Sequence, residues 1–188
     1  MSLTNLLVPT YMQLLRGLSG WLDKAEKQIP EAEAEALLTK RLAPDMFPLS
    51  SQVRFACFQA QEATFRLRGV PLPEALEQVA LEGQNAGERP GSISEAQARI
   101  GEALSVLDDL GPDALDAGAE RSITLELPNG MLFDMTGEQY ARDWALAQFY
   151  FHLNTAYAIL RSQGIELGKA DYVPHMFAYL RPGSMPQS

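Results

Sequence analysis

Apolar residues recur every three to four positions along the first part of the chain, as Leu7, Tyr11, Leu14, Leu15, Leu18, Trp21, Leu22 and Ala25. This spacing predicts an amphipathic first helix from Leu6 to near Ile29 and Pro30. A short alanine-rich helical piece over 31–42 follows, and it stops at Ala43-Pro44 because the residue ahead of a proline is pushed out of the helical region. A second helix is predicted to open at Pro48 or Leu49 and to close at Gly69. Its core stripe is Val53, Ala56, Cys57, Ala60, Thr64 and Leu67. Over 70–91 the chain turns rich in proline and glycine, which predicts a surface excursion holding at most a short helix near 74–81.

The third helix opens on Ser94 with Gln97 three positions on, a capping-box pair, and carries Ile100, Ala103, Leu104, Leu107 and Leu110 to a stop at Gly111-Pro112. The period then changes to two. Ile123, Leu125 and Leu127 alternate with polar residues, Asn129-Gly130 follows, and Met131, Phe133 and Met135 alternate in turn, which predicts a β-hairpin with a type I′ turn. A last helix starts at Thr136, with Gln139 completing a second capping box, and runs to Gln163 before Gly164. It is apolar almost all round, so protein should surround it, either the other helices or the second copy of a homodimer. The remaining tail holds Tyr172, His175, Phe177 and Tyr179. Its first part should dock, and its end, from about 173, should fray. Together these elements predict an all-α fold, an up-and-down four-helix bundle with a small hairpin before the last helix.

The 188 residues fit one domain over 1–188, with 46% hydrophobic and 21% charged residues in the proportions of a globular chain. Fifteen basic against 24 acidic residues give a net charge of −9, a field that repels polyanions. Nucleic acid and anionic membranes are therefore excluded as expected partners. Cys57 is the lone cysteine, which rules out an intrachain disulfide and a zinc site of several thiolates and suits a reducing compartment. The first residues lack a basic run ahead of their apolar positions, and no apolar run approaches the roughly 18 residues of a membrane span. The expected location is the cytoplasm.

Chemistry concentrates on the last helix. Gln148 and His152 are four residues apart and so project from one face, which also carries Trp144 and Thr155. Polar groups on a core-facing stripe need partners. The first expectation is that a neutral His152 hydrogen-bonds Gln148 or a buried water. Cys57 reads first as a small buried hydrophobe, and as a nucleophile only if its thiol is accessible and activated. The aromatics Trp144, Phe149, Tyr150, Phe151 and Tyr157 read as core or dimer surface, and Glu31, Glu33 and Glu35 as a solvated face. Glycine-rich phosphate loops, His-Glu-x-x-His helices, nucleophile elbows and EF-hand spacings are all missing, and no pair of carboxylates stands out on an apolar face.

The segment from Phe149 to Arg161, read Phe-Tyr-Phe-His-Leu-Asn-Thr-Ala-Tyr-Ala-Ile-Leu-Arg and followed by Gly164-Ile165, resembles the last helix of the DinB-like (DinB/YfiT-like) superfamily, which includes metalloenzymes. Leu42-Ala43-Pro44-Asp45-Met46-Phe47-Pro48, Cys57, and the stretch from Phe151-His152 to Leu167-Gly168-Lys169-Ala170-Asp171-Tyr172 are similar to a branch of that superfamily known as a domain of unknown function. The resemblance implies a DinB-like bundle over most of the chain. Metal-binding members carry one histidine on the second helix and two, four apart, on the last. Laid on that pattern, His152 takes the last position, Gln148 the one before it and Cys57 the helix 2 position, so one of three histidines remains. A divalent zinc or nickel ion would have to accept an imidazole, an amide oxygen and a thiolate, an unusual set. His175 is a further candidate ligand if the tail folds over the mouth of the bundle.

Three functions follow. The first is a bundle protein without a cofactor and without a complete metal triad, holding an inner pocket of Cys57, Gln148, His152 and Trp144. The second is a thiol-dependent transferase or metal-assisted hydrolase using that pocket. The third is a module that binds a small molecule there.

Overall fold

The computed structural model describes residues 2–127 and 129–184. Helix α1 (Leu3–Gln28) begins three residues earlier than the apolar spacing predicts. Ser2 caps it by accepting from the Asn5 N–H at 3.2 Å. The N–H and Oγ1 of Thr4 donate to Asp116 Oδ1 at 2.9 and 2.7 Å, which pins this end to a distant loop. After α2 (Glu31–Ala36) and a 3₁₀ turn that buries Leu37 and Leu38, α3 runs from Leu49 to Arg68. It stops at Gly69, whose φ of 67° is left-handed, as the sequence predicts.

Between Val70 and Gly91 the expectation of a surface excursion is corrected. Here α4 (Glu74–Asn85) is a three-turn helix that packs on α3 through Leu76, Val79 and Gly83. Gly83 weakens the helical signal in the sequence, yet it makes the packing close. A Cβ at that position would lie 2.6 Å from the Phe55 ring. The start of α5 (Ile93–Asp108) is also corrected: its reciprocal capping box is Ser92 with Glu95, not Ser94 with Gln97. Two overlapping boxes compete in this sequence. The carboxylate wins near the positive end of the helix, Glu35 adds a cap on the Ile93 N–H at 3.0 Å, and Gln97 bonds instead to Ser19 and Asp23.

Strands β1 (Ser122–Glu126) and β2 (Leu132–Thr136) pair antiparallel with Ile123 opposite Met135 and Leu125 opposite Phe133. The turn differs from the two-residue type I′ expectation. Leu127 donates to Met131 at 2.9 Å and Gly130 to Leu127 at 2.8 Å, so three residues separate the last bonded pair, with Gly130 left-handed at φ 82°. Pro128, within that turn, lies outside the described residues. The hairpin leads into α6 (Gly137–Gln139), capped by the predicted Thr136–Gln139 box. The helix then passes through a π-helical stretch, Tyr140–Ala145, into α7 (Leu146–Ser162). A last short helix, α8 (Lys169–Tyr172), docks on α1: Trp21 Nε1 donates to Asp171 O at 2.8 Å and the Trp21 ring stacks on Tyr172. The expectation that the chain end frays falls in part on residues 185–188, outside those described.

The fold is a helical bundle of α1, α3, α5 and α7, with α3 at its centre, packed on α7, α4 and α5. Its core joins Leu7, Tyr11 and Trp21 to Val53, Cys57 and Ala60, to Ile100 and Leu107, and to Phe149, Leu153 and Ile159. No helix among the described residues is long and apolar enough to cross a membrane.

Candidate functional site

Fifteen of the 20 residues of α3 are buried, and Ser50, Ser51, Gln52, Arg54, Gln59, Gln61, Glu62 and Thr64 are among them. A helix that buries this many polar side chains has to satisfy them locally or present them to something else. On the α7 side, Gln52 meets His152: imidazole Nδ1 and amide Oε1 are 2.8 Å apart. The amide is itself oriented, because Gln52 Nε2 donates to Phe47 O at 3.0 Å. Its oxygen is therefore the acceptor, Nδ1 carries the hydrogen, and Nε2 of His152 keeps its lone pair. Burial pushes the imidazole pKa down to about 4, so His152 is neutral at physiological pH.

His152 forms part of the wall of a cleft of about 400 Å³ between α3, α4, the hairpin and the π-helical stretch. Phe47, Phe55, Phe58 and Leu125 make it mostly apolar, while Trp144, Gln59, Glu62 and Arg66 bring polar groups. The rings of Phe55 and His152 lie 5.0 Å apart, and Phe47 meets Phe55 edge-on at 5.2 Å. Glu62 is almost fully buried and accepts from Arg66 Nε at 2.8 Å. Burial raises its carboxyl pKa, and Arg66 only partly opposes that shift. Oε1 of Gln59 and Nε1 of Trp144 are both buried without a hydrogen-bond partner. The hydroxyls of Tyr11 and Tyr140 are likewise buried without partners, and the field of Glu62 reaches both. Tyr140 and Trp144 belong to the π-helical stretch, a local irregularity that recurs at functional sites.

Of the four residues predicted to share a pocket, Trp144 and His152 line this cleft, and Gln148 and Cys57 do not. The amide that holds His152 is Gln52 on α3, not Gln148 on the same helix. Gln148 is half-buried. Cys57 follows Gln52 by five residues, which at about 100° per residue turns it roughly 140° around α3. It sits fully buried in the bundle core, under the influence of Arg54, Arg99 and Glu102 instead of any group on α7. Burial pushes its thiol up to about 12, the opposite of an activated nucleophile. The expected set of Cys57, Gln148 and His152 is therefore not assembled, and it does not fit a zinc or nickel ion. Among the described residues no three His, Cys, Asp or Glu side chains gather as a metal cage. His175 lies in a 3₁₀ helix, Pro174–Tyr179, that has no buried residue, and it does not line the cleft.

The residues that sequence reading missed are Gln52, Gln59, Glu62, Arg66 and Phe55. A signal was present: the four polar residues recur at spacings of seven, three and four along a helix that is otherwise committed to the core.

A family profile described as "Domain of unknown function (DUF1993)" matches residues 3–173. The chain belongs to that DUF1993 family. The DUF1993 chain is also similar to a crystal structure described as a DinB family member from Shewanella denitrificans, with 30% identity and a TM-score of 0.71 over 99% of this chain and 94% of the other. The bundle is thus DinB-like, as the resemblance implied. No curated protein matches the DUF1993 chain.

Proposed function

We propose that this protein binds a small, largely apolar molecule in the cleft between α3, α4 and the hairpin, one that carries a hydrogen-bond donor next to an acceptor. The observation that supports this most is the pairing of two orphaned groups in one wall system: the acceptor Gln59 Oε1 and the donor Trp144 Nε1. Leaving such groups unsatisfied costs about 1–3 kcal/mol each, so a ligand that answers both would recover that energy. An aromatic or aliphatic carboxamide has the required chemistry. The apolar lining favours its body, and the neutral imidazole of His152 adds an acceptor without charge.

A thermal-shift screen of neutral carboxamides, followed by calorimetry, tests the reading. Saturable stabilisation without turnover is expected, weakened at least tenfold in Gln59→Leu and in Trp144→Phe. Binding that ignores both substitutions would overturn it.

The same reading keeps the protein in the reducing cytoplasm, supported by its lone buried thiol, and keeps it as one domain. It also pairs two copies through α7, where Tyr150 and Phe151 remain exposed; sedimentation at several concentrations checks this.

A further inference from the structure

The buried polar groups of the cleft are mainly acceptors. Gln59 Oε1 is unpartnered, His152 Nε2 keeps its lone pair, and Glu62 brings a carboxylate, while Trp144 Nε1 is the one unpartnered buried donor on the walls among the described residues. The charges are uneven in the same sense. Glu62 and Glu126 stand on the walls against Arg66 alone, with His152 neutral, so one negative charge is in surplus. Glu126, on β1, is exposed and forms no ion pair among the described residues.

Glu62 is answered on one side only. Its side chain is 7% exposed against 28% for Arg66, and Arg66 Nε donates to Oε1 at 2.8 Å. Among the described residues Oε2 accepts no hydrogen bond, and the hydroxyls of Tyr11 on α1 and Tyr140 on the π-helical stretch, which feel its field, form none either. A carboxylate has room for about four donors, and a buried one left incomplete is costly. Aromatic rings share the space: Phe47, Phe55, Phe58 and Trp144 all line it. No cation of the described residues stands over any of the four, since the one such contact is Arg68 over Phe65. An ammonium has three donors and no acceptor, and it is attracted to aromatic faces, so it meets both demands at once.

We infer that the ligand of this cleft is an amine, of the class of an α-amino amide with an apolar side chain, whose ammonium donates to Glu62 while its amide meets Gln59 and Trp144. The inference rests on the carboxamide reading given above and adds a positive charge to it. Gln59 and Glu62 are three residues apart on α3, hence on one face and about 4.5 Å apart along the helix axis. The two carbons between the nitrogens of an α-amino amide give a similar reach. A neutral amide would leave Glu62 incomplete, and a carboxylate ligand would be repelled by it.

The test compares phenylalaninamide with 3-phenylpropanamide, the same molecule without its amino group, by calorimetry on the full chain at pH 6.5. The amine is then protonated, because α-amino groups titrate at about 7.7–8.0. Both should bind, the amine roughly tenfold more tightly. Glu62→Gln, which keeps the shape of the side chain, should remove most of that preference. Where that buried substitution impairs folding, the exposed Glu126→Gln decides, with the preference lowered by about twofold. Equal binding of the two ligands, a preference that survives Glu62→Gln in folded protein, or one indifferent to Glu126→Gln would overturn the proposal and leave the carboxamide reading standing. Binding of neither ligand would overturn both.

Discussion

Gln52 and His152, one hundred residues apart in the chain, meet with amide oxygen and imidazole Nδ1 at 2.8 Å, and the amide is locked by its bond to Phe47 O. That chain of two bonds selects a single tautomer. Nitrogen NMR at pH 7 should therefore find the hydrogen of His152 on Nδ1. Replacing the acceptor with a carboxylate, Gln52→Glu, should raise the imidazole pKa by about 1–3 units, because an opposite charge within hydrogen-bond reach favours the protonated ring. An unchanged titration in that variant would mean that the two side chains do not meet in solution.

The buried imidazole also makes stability depend on pH. An unfolded histidine titrates near 6.5 and the folded one at about 4, so between those values the unfolded chain binds more protons. Stability should thus fall as pH drops through that window and level off below it. The total loss is about 3 kcal/mol, with about 2 kcal/mol reached by pH 5. The raised carboxyl of Glu62 works with the opposite sign, so the wild type has to be read against His152→Phe. Urea unfolding at pH 7.5 and pH 5 should show the wild type losing about 2 kcal/mol more than that variant.

Close packing of α4 on α3 predicts a specific cost at Gly83. An added methyl would push the Phe55 ring, which is flanked by Phe47 and His152 and has little room to move. Alanine gains about 1 kcal/mol of helix propensity over glycine, and the overpacking costs about 1–3 kcal/mol. Gly83→Ala should come out net destabilising in urea and should shift the His152 ring resonances. Gly20→Ala and Gly101→Ala, where an added Cβ meets nothing within 4 Å, should instead stabilise.

Much of this architecture was legible because periodicity reports burial. The apolar stripes of α1, α3, α5 and the last helix, the alternation of Ile123, Leu125, Phe133 and Met135, and the Thr136–Gln139 box all act locally and leave their mark on neighbouring positions. What escaped depends on partners far along the chain. Helix α4 was read only as a short piece near 74–81, because Gly83 weakens the signal beyond it and its value shows only when Phe55 is placed beneath it. Two capping boxes overlap at Ser92 and Ser94, and Glu35, 58 residues away from Ile93, tips the choice. At the site, the i, i+4 rule correctly set Gln148 and His152 on one side of a helix, but it cannot say that an amide from another helix arrives first. Cys57 shared a helix with Gln52 without sharing its face.

The buried thiol of Cys57 should be chemically silent. With its pKa pushed up to about 12 and no exposed surface, iodoacetamide at pH 8 should leave it unmodified in the folded protein and alkylate it fully in urea. Cys57→Ala should cost about 1–2 kcal/mol, and Cys57→Ser should cost more, because a hydroxyl in that apolar position gains an unmet hydrogen-bonding demand. Rapid alkylation of the native protein would contradict the placement.

The hairpin is held to the end of α3 by two glycines that bring backbone onto backbone. A Cβ at Gly118 would fall on the carbonyl oxygen of Leu67, and one at Gly137 on the carbonyl oxygen of Gly118. Neither obstacle is a side chain that can swing aside, so Gly137→Ala must push the start of α6 off the Gly118 turn that joins the hairpin to α3, at a cost of about 3 kcal/mol. The bond from the Glu138 N–H to Ala119 O, 2.8 Å long, should break with it. Leu125, Glu126 and Leu127 supply one wall of the cleft, so the same substitution should open that wall. Hydrogen exchange offers the check: faster exchange at Glu138 and along β1, with α5 still protected, is the expected pattern, and uniform acceleration across the bundle would argue that the hairpin is not separately docked.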